Sequence, residues 1–130
     1  MRANILDEYV SNKLKSLDCR EDTKSYLIST LSKYINSKYD LSNESLTLFY
    51  IKANESYSFE KYQNLSDWIL MTRIMYPSHL KNASIDYYRT LARYGYLSCY
   101  KILNKSWPLF EELSDNFIYI EESSRKLINK

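Results

Sequence analysis

The chain has 130 residues, of which 45% are hydrophobic and 26% charged, and its formal net charge is +2 at pH 7. This length fits a single domain over residues 1–130 that buries its own core, and the charge is too small to imply nucleic-acid or membrane partners from bulk electrostatics. The single glycine, Gly95, excludes Gly-rich nucleotide loops and disfavours a fold of many hairpins. The fourteen tyrosines recur at helical spacing instead.

Apolar residues at three- and four-residue spacing predict helices in the first half of the chain. The first helix is predicted from about Ala3 to Leu17, and the apolar stripe of the second continues to Tyr39. A polar connection at 40–42 follows the second helix. The segment 43–54 fits either a helix or a strand, because its apolar residues satisfy both periods.

Serines and prolines set the predicted limits of the helices in the second half. Ser58 caps a helix that stops before Pro77, because proline disfavours the α conformation of the residue before it. Ser84 caps the next helix, which ends near Leu103, and a final helix carries Pro108 in its first turn. The predicted fold is therefore an all-α, single-domain bundle of five or six helices.

The helix from Ser84 to Leu103 is predicted to be the central one. Ala92, Gly95 and Cys99 form a stripe of small residues on it, which lets the axis of a second helix approach closely. Cys99 is therefore expected to be a buried free thiol. This helix is net basic, whereas the following segment is acidic, so we expect the two to be neighbours.

Several short motifs occur in a fixed order across the middle of the chain. They are Leu65-Ser66-Asp67-Trp68-Ile69-Leu70, Tyr76-Pro77, Asp86-Tyr87-Tyr88 and Tyr96. This order resembles an uncharacterised family of small all-helical bacterial proteins with a (Gly/Ser)-Asp, Phe/Tyr-Pro, Asp-Tyr-Tyr, Tyr pattern. The chain departs from that pattern at Ser66, Ala92 and Gly95, where glycine, glycine and alanine are expected. The resemblance covers roughly residues 20–120 and implies a helical fold, but no activity.

Charged and aromatic side chains of two predicted helices are the candidate binding residues. They are Asp67, Trp68, Arg89, Arg93, Tyr96 and Tyr100. Asp67 lies in an apolar stretch, so it is expected to be a buried acid with a raised pKa, an acceptor for an N–H group or an ion-pair partner of Arg89 or Arg93. The two arginines and the tyrosines could bind a phosphate or stack on bases.

The arginines have a second interpretation, which is pairing with carboxylates of the chain itself. Asp67 and the acidic helix are the leading candidate partners, and within that helix Glu111, Glu112 and Asp115 are the expected contacts. Pairing of this kind would neutralise the basic patch and remove its attraction for phosphates.

No catalytic set, metal set or cofactor loop is recognised. His79 is the sole histidine and has no partner at metal-ligand spacing. We therefore expect a non-catalytic protein without cofactor or metal that binds a protein partner, a second copy of itself or a small ligand. A nucleic-acid-binding protein that uses Arg89, Arg93 and tyrosines is the alternative, and a small enzyme is a further one.

The cytoplasm is the expected location. The first residues include Asp7 and Glu8 where a secretion signal would be apolar, and no stretch is apolar over the roughly 20 residues of a membrane span. Contact with a membrane is therefore not expected.

Overall fold

The computed structural model describes residues 5–36 and 45–130, and within these ranges it contains seven α-helices and no strand. The helices are α1 (Ile5–Lys13), α2 (Glu21–Asn36), α3 (Leu46–Ser56), α4 (Phe59–Met75), α5 (Ile85–Ile102), α6 (Pro108–Asp115) and α7 (Phe117–Ile128). A short 3₁₀ helix (Pro77–His79) follows α4. The all-α class is confirmed, whereas the number of helices is seven and the predicted five or six is wrong.

The additional helix arises because the predicted last helix is two helices. The chain bends at Asn116, which ends α6 and precedes α7. Near this end the guanidinium Nε of Arg93 donates a hydrogen bond of 2.9 Å to the carbonyl oxygen of Ser114. The last carbonyls of a helix have no partner within it, so a side chain from α5 supplies one here. No proline or glycine marks the break.

The capping serines behave largely as predicted. Ser58 accepts a hydrogen bond from the Lys61 amide, and Ser84 accepts one from the Tyr87 amide, so α4 and α5 begin where expected. Ser45 caps α3 in the same way, and the ambiguous segment is therefore a helix where it is described.

In the first half of the chain one predicted limit differs from the structure, and the others lie outside the described residues. Helix α1 ends at Lys13 instead of Leu17, although Leu17 is still buried. The predicted starts at Ala3 and Asn43 lie outside the described residues. The same holds for the predicted end of the second helix at Tyr39 and for the connection that follows it.

The core is centred on α4. The prediction that α5 is the central helix is therefore wrong. Helix α4 packs against α2, α3, α5 and α7, and it is buried over most of its second half, from Leu65 to Ile74. Helix α6 packs against α5 and α2, and α1 packs against α2 and α7. Among the described residues, no helix is both long and apolar enough to cross a bilayer.

The stripe of small residues on α5 faces α4, as predicted. Ala92, Gly95 and Cys99 are buried, and the Ser66 hydroxyl of α4 donates a buried hydrogen bond of 2.7 Å to the Ala92 carbonyl oxygen. A methyl group on Gly95 would overlap Ser66 Oγ and come within 3.1 Å of the Tyr62 carbonyl oxygen. The absence of a side chain at Gly95 therefore sets the distance between the two helices.

Cys99 is a buried free thiol, and burial raises its pKa to about 12. Its Sγ lies 3.8 Å from the Phe59 carbonyl oxygen. Cys19 is also free and is half-buried. These observations confirm the prediction for Cys99.

Replacing Gly95 with alanine is expected to destabilise the protein by about 1–3 kcal/mol, despite the roughly 1 kcal/mol by which alanine favours a helix. The cause is the overlap with Ser66 Oγ. Urea denaturation of the Gly95→Ala and Ser66→Ala variants and of the double variant measures this effect. Ser66→Ala should cost about 1 kcal/mol alone, through its hydrogen bond, and should recover part of the loss in the Gly95→Ala background. A Gly95→Ala variant more stable than the parent would contradict the close packing.

Candidate functional site

Asp67 is bound by tyrosine hydroxyls from two other helices. Tyr26 of α2 donates to the carboxylate at 2.7 Å from Oδ1 and 2.8 Å from Oδ2, and Tyr96 of α5 donates to Oδ1 at 2.7 Å. The Tyr26 hydroxyl in turn accepts a hydrogen bond of 3.0 Å from Gln63 Nε2. One carboxylate on α4 thus connects three helices.

The expected partners of Asp67 were arginines, and this prediction is wrong. Among the described residues, none of the ion pairs includes Asp67. A carboxylate offers about four acceptor sites, whereas Tyr26 and Tyr96 supply one hydrogen each. The carboxylate therefore retains unused acceptor capacity, chiefly at Oδ2.

The environment raises the pKa of Asp67 to about 6. Desolvation is the largest cause, and the hydrogen bonds from Tyr26 and Tyr96 and the charge of Lys33 oppose it. The raised pKa was one of the two sequence-based expectations for this residue. Burial and the nearby carboxylate also raise the pKa values of both tyrosines, so their hydroxyls remain protonated donors.

Asp67 lines a cavity between α2 and α4, which we call the Asp67 pocket. Its volume is about 240 Å³. The lining residues are Thr30, Lys33 and Tyr34 of α2 and Asn64, Asp67, Trp68 and Met71 of α4. Trp68 and Met71 are buried and form an apolar wall, whereas Lys33 is exposed. The pocket thus combines a desolvated carboxylate, one cation and an apolar surface.

The other predicted binding residues divide into two groups. Trp68 and Tyr96 belong to the surroundings of Asp67, since Trp68 lines the pocket and Tyr96 binds the carboxylate. Arg89 and Arg93 are elsewhere, as described below. Tyr100 is half-buried, and desolvation together with the charge of Glu111 raises its pKa.

Arg89 belongs to a cluster of three arginines around a carboxylate that has no solvent exposure, Glu121 of α7. Arg73, Arg89 and Arg125 donate hydrogen bonds of 2.9–3.1 Å to it, and Arg89 also contacts Glu122. Burial raises the pKa of Glu121, but the hydrogen bonds and charges of the arginines outweigh it and lower this pKa to about 2. The cluster joins α4, α5 and α7.

The partners of Arg89 lie within the acidic segment 106–122 that was expected to engage the arginines, but at its far end instead of at the leading candidates Glu111, Glu112 and Asp115. Arg89 pairs with Glu121 and Glu122 of α7, and Arg93 binds the Ser114 carbonyl oxygen and no carboxylate among the described residues. Asp67 and Glu112 have other partners. Glu112, for example, accepts a hydrogen bond from the Arg20 amide. The prediction that chain carboxylates engage the arginines is thus confirmed for Arg89 alone.

Tyr26, Arg73 and Glu121 were not among the predicted site residues. Two of them carried a signal in the sequence. Glu121 falls on the same helical stripe as Phe117 and Ile128, and Arg73 lies between buried residues of α4. A charged residue on an apolar stripe indicates a buried ion pair, because an isolated buried charge is too costly.

A second cavity, of about 300 Å³, lies near the N-termini of α3 and α5. Its lining includes Leu46, Trp68, His79, Leu80 and Tyr88. Its histidine is exposed and stacks on the Tyr76 ring. In the part of the chain that the structure describes, no group of His, Cys, Asp or Glu residues is arranged to hold a metal ion.

Comparisons with models of protein families, with curated proteins and with solved structures find no match for this chain. The family resemblance suggested by the order of its motifs therefore remains a prediction. The helical fold and the geometry of the Asp67 pocket are observed in the structure and do not depend on these comparisons.

Glu121→Gln is expected to lower the free energy of unfolding by roughly 3–5 kcal/mol at pH 7, because it leaves buried guanidinium groups without their counter-ion. The pKa of Glu121 falls from 4.5 to about 2 on folding. Its stabilisation is therefore complete above pH 4.5 and is lost as the pH falls towards 2. Urea denaturation between pH 2 and 7 measures both effects.

Glu122→Gln is the matched control for Glu121→Gln. Its side chain is 43% exposed and receives one hydrogen bond from Arg89, so the expected loss is below about 1 kcal/mol. Equal losses for the two variants would contradict the assignment of Glu121 as the centre of the cluster.

Asp67 should produce a pH dependence of opposite sign. Its pKa rises from 3.8 to about 6 on folding, so the folded protein holds the proton more tightly than the unfolded chain. The free energy of unfolding should therefore fall by up to about 3 kcal/mol as the pH rises from about 4 to about 6. Asp67→Asn should abolish this fall in the free energy of unfolding. Asp115→Asn, at an exposed position of α6, should leave it unchanged. Parallel pH profiles for the parent and Asp67→Asn would contradict the raised pKa.

Proposed function

We propose that this protein is a non-catalytic binding module for a small polar metabolite, which occupies the Asp67 pocket. The observation that carries the proposal is a carboxylate that is desolvated, lines a cavity and has acceptor sites that the described residues leave unused. Desolvation disfavours the charged form of this carboxylate, and a ligand with N–H or O–H groups would supply it with further donors.

The size of the cavity limits the ligand. Pockets for drug-sized molecules have volumes of about 300–1,000 Å³, and the Asp67 pocket, with about 240 Å³, is smaller. The volume corresponds to about eight water molecules. The composition of the wall agrees with a metabolite, because a few polar groups stand beside the apolar surfaces of Trp68 and Met71.

The Asp67 site also supports binding in preference to a purely structural role. Carboxylates that only connect helices are well supplied with donors, as Glu121 is, with five hydrogen bonds from three arginines. Asp67 accepts hydrogen bonds from two neutral tyrosines and from no cation among the described residues, so its pKa is raised and its charged form is disfavoured on folding. Groups with perturbed pKa values in cavities are characteristic of functional sites.

The arginines give less support to the nucleic-acid alternative. The Arg89 guanidinium is bound to Glu121 and Glu122 and is 15% exposed, and Arg93 is held by the Ser114 carbonyl oxygen. The Arg89 charge is already neutralised by carboxylates, so it would release few counter-ions from a nucleic acid. Arg93 is exposed and has no carboxylate partner among the described residues, but one arginine is a small basic surface. Binding to a protein partner, self-association, the absence of catalysis and a cytoplasmic location remain predictions.

Ligand binding can be measured by tryptophan fluorescence, because the chain has only two tryptophans. Trp107 is 54% exposed and stacks on Phe110, so Trp107→Phe leaves Trp68 as the only reporter with an aromatic ring retained at position 107. Titration of this variant with amino acids, simple amines, short carboxylic acids and sugars at millimolar concentration should change the Trp68 emission for at least one class.

Thr30→Phe in the same background should abolish that response, because the larger side chain fills the pocket without removing a charge. Ser29→Phe is the matched control, since Ser29 is the neighbouring exposed residue of α2 and lies outside the pocket lining. If no compound class changes the emission, or if both phenylalanine variants respond like the parent, the Asp67 pocket is not a binding site.

A further inference from the structure

Two opposite charges line the Asp67 pocket. Asp67 is the desolvated carboxylate of α4, and Lys33 is an exposed ammonium group of α2 that lies near enough to lower the pKa of that carboxylate. They do not neutralise each other by contact, because none of the ion pairs among the described residues joins them. The cavity therefore presents a negative and a positive group at separate places on its wall.

We infer that the ligand of the Asp67 pocket is a zwitterion, specifically a free α-amino acid with an apolar side chain. This inference rests on the proposed function and names the ligand class of the same site. The ammonium group of the ligand donates to the free acceptor sites of Asp67, and its carboxylate is paired with Lys33. Both are charge-assisted hydrogen bonds, which are stronger than neutral ones.

The remaining lining matches the rest of such a ligand. Trp68 and Met71 offer an apolar surface for its side chain, and Thr30 and Asn64 offer further hydrogen-bonding groups beside the two charges. A simple amine would leave Lys33 without a counter-ion and be repelled by it. A simple carboxylic acid would be repelled by Asp67. A zwitterion alone satisfies both charges.

The probes are L-leucine and L-methionine, each with two derivatives that lack one charge. The amides lose the carboxylate, and the N-acetyl derivatives lose the ammonium group. Titration at pH 7 of the Trp107→Phe variant, followed by Trp68 fluorescence and by isothermal calorimetry, should show at least about tenfold weaker binding for both derivatives than for the free amino acid.

Two substitutions assign the charges separately. Lys33→Gln should weaken binding of the free amino acid by about tenfold, and it should leave the affinity for the amide unchanged or raise it. Asp67→Asn should weaken binding of the free amino acid and of the amide, but not binding of the N-acetyl derivative. Lys61→Gln, at an exposed position of α4 outside the pocket, is the matched control and should change nothing. Because Lys33 is exposed, its variant tests the inference even if Asp67→Asn fails to fold.

The outcomes separate this inference from the proposed function. The zwitterion inference would be wrong if the amides bind as tightly as the free amino acids, or if the Lys33→Gln variant binds like the parent. The Asp67 pocket would remain a binding site in both cases. The same holds if both amino acids fail to bind and another class of compound changes the Trp68 emission. If no probe of any class binds, the zwitterion and the binding function are both wrong.

Discussion

The close approach of α4 and α5 is the constraint on which the Asp67 site depends. Gly95 has no side chain, so Ser66 of α4 can reach the backbone of α5 and donate to the Ala92 carbonyl oxygen. Asp67 and Tyr96 are the next residues along their helices, and their hydrogen bond of 2.7 Å requires the same short distance between the axes. A wider crossing would remove one of the two donors that hold the carboxylate. The small-residue stripe thus determines the geometry of a polar site as well as the packing of the core.

Among the described residues, the carboxylates of Glu121 and Asp67 are both desolvated, and the protein compensates them in different ways. Glu121 has no exposure and is surrounded by three arginines, so its pKa is about 2 and its charge stabilises the fold. Asp67 is bound by neutral hydroxyls, which donate hydrogen bonds but carry no charge, and its pKa is about 6. Neutral donors compensate a desolvated charge less than cations do, so folding disfavours the charged form of Asp67 and favours that of Glu121.

The sequence predicted the helical class, the serine caps of α4 and α5 and the small-residue stripe because these depend on local spacing and local chemistry. The cap of α2 was predicted at Asp22 or Thr23, but α2 begins at Glu21. Ser58 and Ser84 cap helices through amides three residues ahead, and Gly95 and Cys99 share a face by helical period alone. The division of the last helix could not be predicted in this way. It coincides with a contact between Arg93 and the Ser114 carbonyl oxygen, which exists only after α5 and α6 have packed.

The same distinction explains why the candidate site was only partly predicted. Asp67 stood out as a charge in an apolar stretch, but its partner Tyr26 lies 41 residues away on α2, and fourteen similar tyrosines gave no means of choosing among them. Arginine was expected because cations are the stronger partners of buried carboxylates. Tyrosine satisfies a different requirement, since it holds the carboxylate in place without neutralising it. The negative charge of Asp67 therefore remains available to a cation that enters the pocket, which an arginine in the same position would have prevented.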